Sequence, residues 1–131
     1  MEIKLNQPVK PDLDKLTRYL EQVNDNGWYT NFGPLHQELT KRLEAYLGVE
    51  NLLLVSNGTL ALQVAYKVLN VKNALTTPFS FVATASSLIW QGIETSFSDI
   101  DKATYNLCPE IAQKVLDENS SIDTIVATHV Y

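Results

Sequence analysis

Leu52-Leu53-Leu54-Val55-Ser56-Asn57-Gly58-Thr59-Leu60-Ala61-Leu62 reads as a buried strand, a tight glycine-containing turn and the start of a helix. Four consecutive apolar residues are the pattern of a strand covered on both faces. The turn carries the chemical interest. A helix start leaves backbone N–H groups without intrahelical partners and presents the positive end of the helix dipole. An anion, most often a phosphate, suits such a spot, and Thr59 adds a hydroxyl donor. Ordinary N-capping by Ser56 or Asn57, with Gly58 easing the turn, accounts for the same residues. Geometry alone leaves both readings open.

On the C-terminal side the same alternation continues. Thr59 to Leu69 predicts a helix with little charge, hence substantially buried, and Ala74 to Thr77 a second short strand ended by Pro78. Phe81 to Trp90 predicts another uncharged helix, and Glu94 to Ser98 a third strand with Ile93 and Phe97 as its apolar members. Pro109 opens a helix to Glu118 that turns Ile111, Val115 and Leu116 inward, and Ile122 to Val130 forms a fourth strand. Strands alternating with helices of about ten residues imply βαβ units and a mainly parallel sheet. The N-terminal side is helical. Pro11 sits at N1 of a helix carrying Leu13, Leu16, Leu20 and Val23, stopped by Asn24-Asp25-Asn26-Gly27. A second amphipathic stretch places Leu35, Leu39, Leu43 and Leu47 on one face and closes at Gly48. The expected organisation is a helical N-terminal arm over residues 1–50 and an α/β unit over residues 51–131.

Composition narrows the function classes. With 45% apolar and 19% charged residues, the 131-residue chain can build a core and is not disordered. Fifteen acidic against ten basic residues give a net charge of −5, against a general nucleic-acid binder. A single cysteine, Cys108, excludes an internal disulfide and a Cys-rich zinc site. The opening MEIKLNQPVKPDLDK has no apolar core of a signal peptide. No apolar run approaches the ~20 residues of a transmembrane helix. A soluble, cytoplasmic protein with no membrane partner is the expectation.

Other segments offer weaker signals. Thr76-Thr77-Pro78-Phe79-Ser80-Phe81-Val82-Ala83-Thr84 also joins a strand end to a helix start, at the carboxyl edge where open α/β sheets place ligands. An aromatic ring there stacks on a flat heteroaromatic ligand, or else Phe79 and Phe81 are packing residues. Trp28 to Pro34 holds three aromatics in seven residues, as a substrate-facing loop or as a structured turn between two helices. His36 and His129 stand alone, without cysteines or paired carboxylates at ligand spacing, so no metal site is expected. Asp99 and Asp101 are a carboxylate pair or plain loop solvation. Neither G-x-x-x-x-G-K-[ST] nor G-x-G-x-x-G occurs, and Ser56 has no G-x-S-x-G context.

Taken together these segments resemble the DegT/DnrJ/EryC1/StrS family of PLP-dependent sugar aminotransferases. The resemblance rests on W-Y-T-N-F-G-P at 28–34, S-N-G-T-L-A-L at 56–62, T-P-F-S-F-V-A-T at 77–84, F-S-D-I-D at 97–101 and A-T-H-V-Y at 127–131. It implies the fold-type-I large domain, with the N-terminal helical arm before it. By the resemblance Gly58, Thr59 and Leu60 hold the phosphate of pyridoxal 5'-phosphate, and Phe81 stacks on its pyridine ring. Trp28 and Phe32 lie toward the substrate. The family's N-x-D-P element stands here as Asn106-Leu107-Cys108-Pro109, with a cysteine in place of the acid.

The resemblance also implies what the chain does not carry. The family's Schiff-base lysine, and the acid that pairs with the pyridine nitrogen, fall beyond the equivalent of Tyr131. None of the lysines at 4, 10, 15, 41, 67, 72, 102 and 114 sits in the family's lysine motif. Transamination needs a lysine amine and a carboxylate on the pyridine nitrogen. The expectation is therefore the N-terminal part of an aminotransferase acting on nucleotide-linked keto-sugars, inactive alone, with glutamate as donor to the whole enzyme. Fold-type-I sites form between two subunits, which implies a homodimer, or self-association of this chain. The alternatives are a non-catalytic phosphate-ligand module and the family's dehydratase branch.

Overall fold

Eight elements follow one another along residues 6–130, the span described by the computed structural model. Residues 1–5, with Lys4 and the start of the expected arm, and Tyr131, the end of the last motif, lie outside the described residues. The helices are α1 (Leu13–Asn26), α2 (Pro34–Leu47), α3 (Gly58–Val68), α4 (Ala83–Trp90) and α5 (Pro109–Glu118). The strands are β1 (Asn73–Thr76), β2 (Glu94–Phe97) and β3 (Thr124–Ile125). They divide between two compact units, one ending at Leu54 and one beginning at Val55.

The first unit contains α1 and α2. The Asp12 carboxylate caps α1 by accepting the Lys15 N–H at 3.1 Å. Pro11 therefore precedes the cap and is not at N1 as expected. An aspartate acceptor at the N-cap is worth about 1 kcal/mol, whereas proline at N1 merely omits an unused donor. Pro34, read from sequence as the end of a loop, occupies the first turn of α2, and Gly48 ends that helix at φ 66°, a left-handed conformation glycine adopts without strain. The Glu44 carboxylate then accepts the Leu52 N–H at 2.9 Å and ties the following segment to α2. Neither helix has a fully buried residue.

The second unit is built on a three-stranded parallel sheet of order β2-β1-β3. Ala74 of β1 lies opposite Thr95 on one side and Thr124 on the other. All four residues of β1 are buried. The ladder runs on past the strands, with Ser98 N–H donating to the Thr76 carbonyl and Val126 N–H to the Leu75 carbonyl, each at 2.8 Å. Tyr66, Val71, Ala74, Leu88 and Ile93 form the core, with Leu62 and Val126 packed against it.

Four expectations need correction. Leu52–Val55 forms no strand, and Leu53 is exposed. A parallel strand exists only through a neighbour's ladder, and none among the described residues pairs with this run. The last strand is short: of residues 122–130 only Thr124 and Ile125 pair. Helix α4 begins at Ala83, so Phe81 stands before it in a turn rather than at its first position. The low-charge helices are also not substantially buried. Only Tyr66 of α3, and Ser87 and Leu88 of α4, are inside, while Val68, Ile89 and Trp90 are exposed. Three strands cover one stripe of each helix and leave the opposite apolar stripe in water.

Candidate functional site

The start of α3 is an open group of donors. Asn57 is extended and its side-chain oxygen accepts the Leu60 N–H at 3.0 Å, while its carbonyl accepts Ala61 N–H at 3.2 Å. The cap is thus Asn57 rather than Ser56. Its hydroxyl neighbour only accepts from the Asn57 amide, at 3.3 Å. Because the cap takes Leu60, the Gly58 and Thr59 N–H groups are the ones left without acceptors among the described residues. A Cβ added at Gly58 would meet nothing within 4 Å, so no close approach of other groups requires glycine there. Leu60, the third expected phosphate residue, has no free N–H to offer.

The turn after β1 forms a second element. Thr77 is buried, and its hydroxyl accepts the Phe79 N–H at 3.2 Å. Ser80 and Thr84 share a hydroxyl–hydroxyl bond of 2.7 Å, and Thr84 N–H donates to the Phe81 carbonyl at 3.0 Å. Phe81 itself is 79% exposed. It lines an open cleft of about 600 Å³ with Ser80, Thr84, Thr128 and His129. Phe79 lines it too and meets Tyr105, ring centroids 6.0 Å apart. Both phenylalanines therefore line the cleft; Phe79 also packs on Tyr105, whereas Phe81 is the more exposed of the two.

The loop between β2 and α5 braces the cleft's other wall. Asn106 Oδ1 accepts the Val130 N–H at 2.9 Å and fixes the segment carrying His129. Sequence reasoning missed this role of Asn106. Its only signal was the N-x-D-P comparison, since the partner is 24 positions away. Cys108 is buried and its thiol donates to Glu110 at 3.1 Å, which holds that carboxyl below the usual range. Asp101 accepts the backbone N–H groups of Thr104 and Ala103, each at 2.9 Å, and these likewise lower its pKa. Asp101 is spent on its own turn, which supports the loop reading over a carboxylate pair.

Trp28 and Phe32 belong to the first unit. The Trp28 indole donates to the Asn31 carbonyl at 3.2 Å, and Tyr29 OH to Asn24 at 2.9 Å. Phe32 has φ 60°, a strained value for a bulky residue. Its ring meets His36 edge-on at 5.0 Å, and Gln37 donates to its carbonyl at 2.8 Å. The loop is thus a structured turn that leaves both aromatic rings accessible. Among the described residues no group of three His, Cys, Asp or Glu is placed to hold a metal ion, and no helix is long and apolar enough to cross a membrane.

The DegT/DnrJ/EryC1/StrS aminotransferase family matches residues 12–131. The chain belongs to this family. It is 39% identical over 122 residues to the dTDP-4-amino-4,6-dideoxy-D-glucose transaminase of Escherichia coli, covering 92% of this chain and 33% of that enzyme. The enzyme of the same name from Shigella dysenteriae is 48% identical over 100 residues, 76% of this chain and 27% of its own length. Among solved structures, DesI in the presence of its TDP-sugar product superposes with TM-score 0.81 at 28% identity, over 92% of this chain and 30% of that one. The fold is that of fold-type-I PLP-dependent aminotransferases, of which the chain spans about a third of the length of the relatives it matches.

Proposed function

We propose that this chain forms the cofactor-phosphate side of a PLP-dependent transaminase that acts on a nucleotide-linked keto-sugar. The observation that carries the reading is the pair of open N–H donors at Gly58 and Thr59, at the positive end of α3. Such a pair suits a phosphate monoester, and the exposed Phe81 ring suits the face of a pyridine. Each end of pyridoxal 5'-phosphate thus finds fitting chemistry. Gly58 and Thr59 would hold the phosphate, the Thr59 hydroxyl would add a donor, and Phe81 would exclude water from one ring face. When bound, the cofactor supplies an electron sink for bonds broken at the amino-bearing carbon.

The remaining assignments belong to the same reading. Trp28 and Phe32 face the nucleotide-sugar, glutamate is the amino donor, and residues 1–50 are an arm to the large domain that begins at residue 51. The whole protein works in the cytoplasm as a homodimer. Exposed Val68, Ile89 and Trp90 support self-association of this chain, to be seen as concentration-dependent mass in light scattering. No lysine of this chain carries the cofactor, so borohydride treatment with PLP traps no lysine stoichiometrically.

The binding test compares pyridoxal 5'-phosphate with pyridoxal. Saturable binding of the phosphorylated form, competed by inorganic phosphate, is expected. Equal binding of both forms, or no binding of either, overturns the assignment of Gly58 and Thr59.

A further inference from the structure

We propose that Ser80 is a positioning residue whose hydroxyl sets the pose of the Phe81 ring in the cleft. The proposal rests on the reading of Phe81 as the platform for the pyridine face. Phe81 is 79% exposed and stands outside both β1 and α4, so neither burial nor a helix fixes its backbone. What fixes it is the Thr84 N–H bond to the Phe81 carbonyl together with the bonds of its neighbour Ser80. Ser80 Oγ meets Thr84 Oγ1 at 2.7 Å and so spans residue 81, while Ser80 N–H donates to the Pro78 carbonyl at 3.0 Å. Thr128, on the segment after β3, donates to Ser80 Oγ at 3.5 Å.

Ser80 is therefore the one hydroxyl that both neighbours share. Thr84 holds it to the first turn of α4, and Thr128 holds it to the wall that also carries His129. Removing Oγ breaks both hydroxyl bonds at once and leaves backbone bonds alone to tie the 78–82 turn to α4. The ring then samples several orientations, and a flat ligand must select one of them, at a cost in affinity. Thr84 keeps its N–H bond to the Phe81 carbonyl and Ser80 is only half-buried, so the fold is not expected to suffer.

The test uses the full 131-residue chain titrated with pyridoxal 5'-phosphate. It reads the Kd together with the circular dichroism induced in the cofactor's absorption band, a signal that depends on a fixed ring pose. Ser80→Ala is expected to weaken binding about fivefold, the size of a lost hydroxyl bond, and to reduce the induced signal per bound cofactor. Thr84→Val should reproduce both effects, Ser80→Thr should restore them, and melting temperatures should match. In a Phe81→Ala background Ser80→Ala should add nothing, because its effect passes through the ring. An unchanged Kd and signal in Ser80→Ala, or the same fivefold loss in the Phe81→Ala background, overturns the proposal. Phe81→Ala binding as the unsubstituted chain does would overturn the platform reading itself, and Ser80's role with it.

Discussion

Phe81→Ala separates a ligand platform from a packing residue by magnitude. The Phe81 side chain is 79% exposed, so its truncation removes little that the folded chain buries. A phenyl ring offers about 150–250 Å², of which a stacked pyridine covers one face, roughly 80 Å². At about 25 cal/mol per Å² this is about 2 kcal/mol, or about a thirtyfold rise in Kd. Equilibrium dialysis of pyridoxal 5'-phosphate against the two chains measures it directly. Stability should move by no more than about 0.5 kcal/mol, as for a surface substitution, and a urea melt supplies that control. A Kd within about twofold of the original refutes the platform. A large loss of stability refutes it differently, by showing that the ring packs in solution.

Two further outcomes test the scaffold. Leu88→Ala empties a fully buried site between α4 and β1, and should cost about 2–5 kcal/mol in denaturant unfolding; a loss below about 1 kcal/mol would mean that α4 does not pack on the sheet. Asp101, Glu110 and Asp123 are all held below the usual carboxylate range, by backbone N–H groups, the Cys108 thiol and the Thr124 hydroxyl respectively. Depressed folded values mean that their stabilisation is present above the unfolded pKa of about 4 and is lost as pH falls through the folded values. Unfolding midpoints should therefore fall on acidification, and Asp123→Asn should flatten that fall; a rise in stability toward low pH contradicts the assignment.

Much of the fold was legible where its causes are local. Pro109 opens α5 at its first turn because a missing N–H costs nothing there, and Gly48 closes α2 because glycine enters φ 66° freely. The Leu52–Val55 run shows the limit. Its apolarity says that a strand would need cover on both faces, but not which strand pairs with it, and among the described residues none does. Val68, Ile89 and Trp90 repeat the point on the helices. Within the site, the strand-to-helix junction left Phe79 and Phe81 undistinguished, and the sequence likewise left open whether Asn57 or Ser56 caps α3. Both are good caps, and only the backbone geometry decides which oxygen reaches Leu60. Asn106 and Thr128 escaped notice because their partners, Val130 and Ser80, are distant in sequence.

The placement of the site follows from how the sheet's carboxyl edge satisfies its own polar groups. A buried parallel strand ends with backbone groups that the ladder no longer serves, and the helix starts beside it add unpaired N–H groups. Hydroxyl residues meet this need after β1. The Thr76 hydroxyl donates to the Val126 carbonyl at 3.0 Å, Thr77 accepts from Phe79 N–H, and Ser80 pairs with Thr84. Each such bond removes a group that a ligand might have used, and together they make that turn rigid rather than sticky. At α3 the balance differs. Asn57 satisfies Leu60 and stops there, so Gly58 and Thr59 keep donors aimed at solvent along the helix axis. A second capping acceptor would stabilise α3 further and abolish those donors. The turn after β1 thus satisfies its own polar groups, whereas the start of α3 leaves the Gly58 and Thr59 N–H groups unserved.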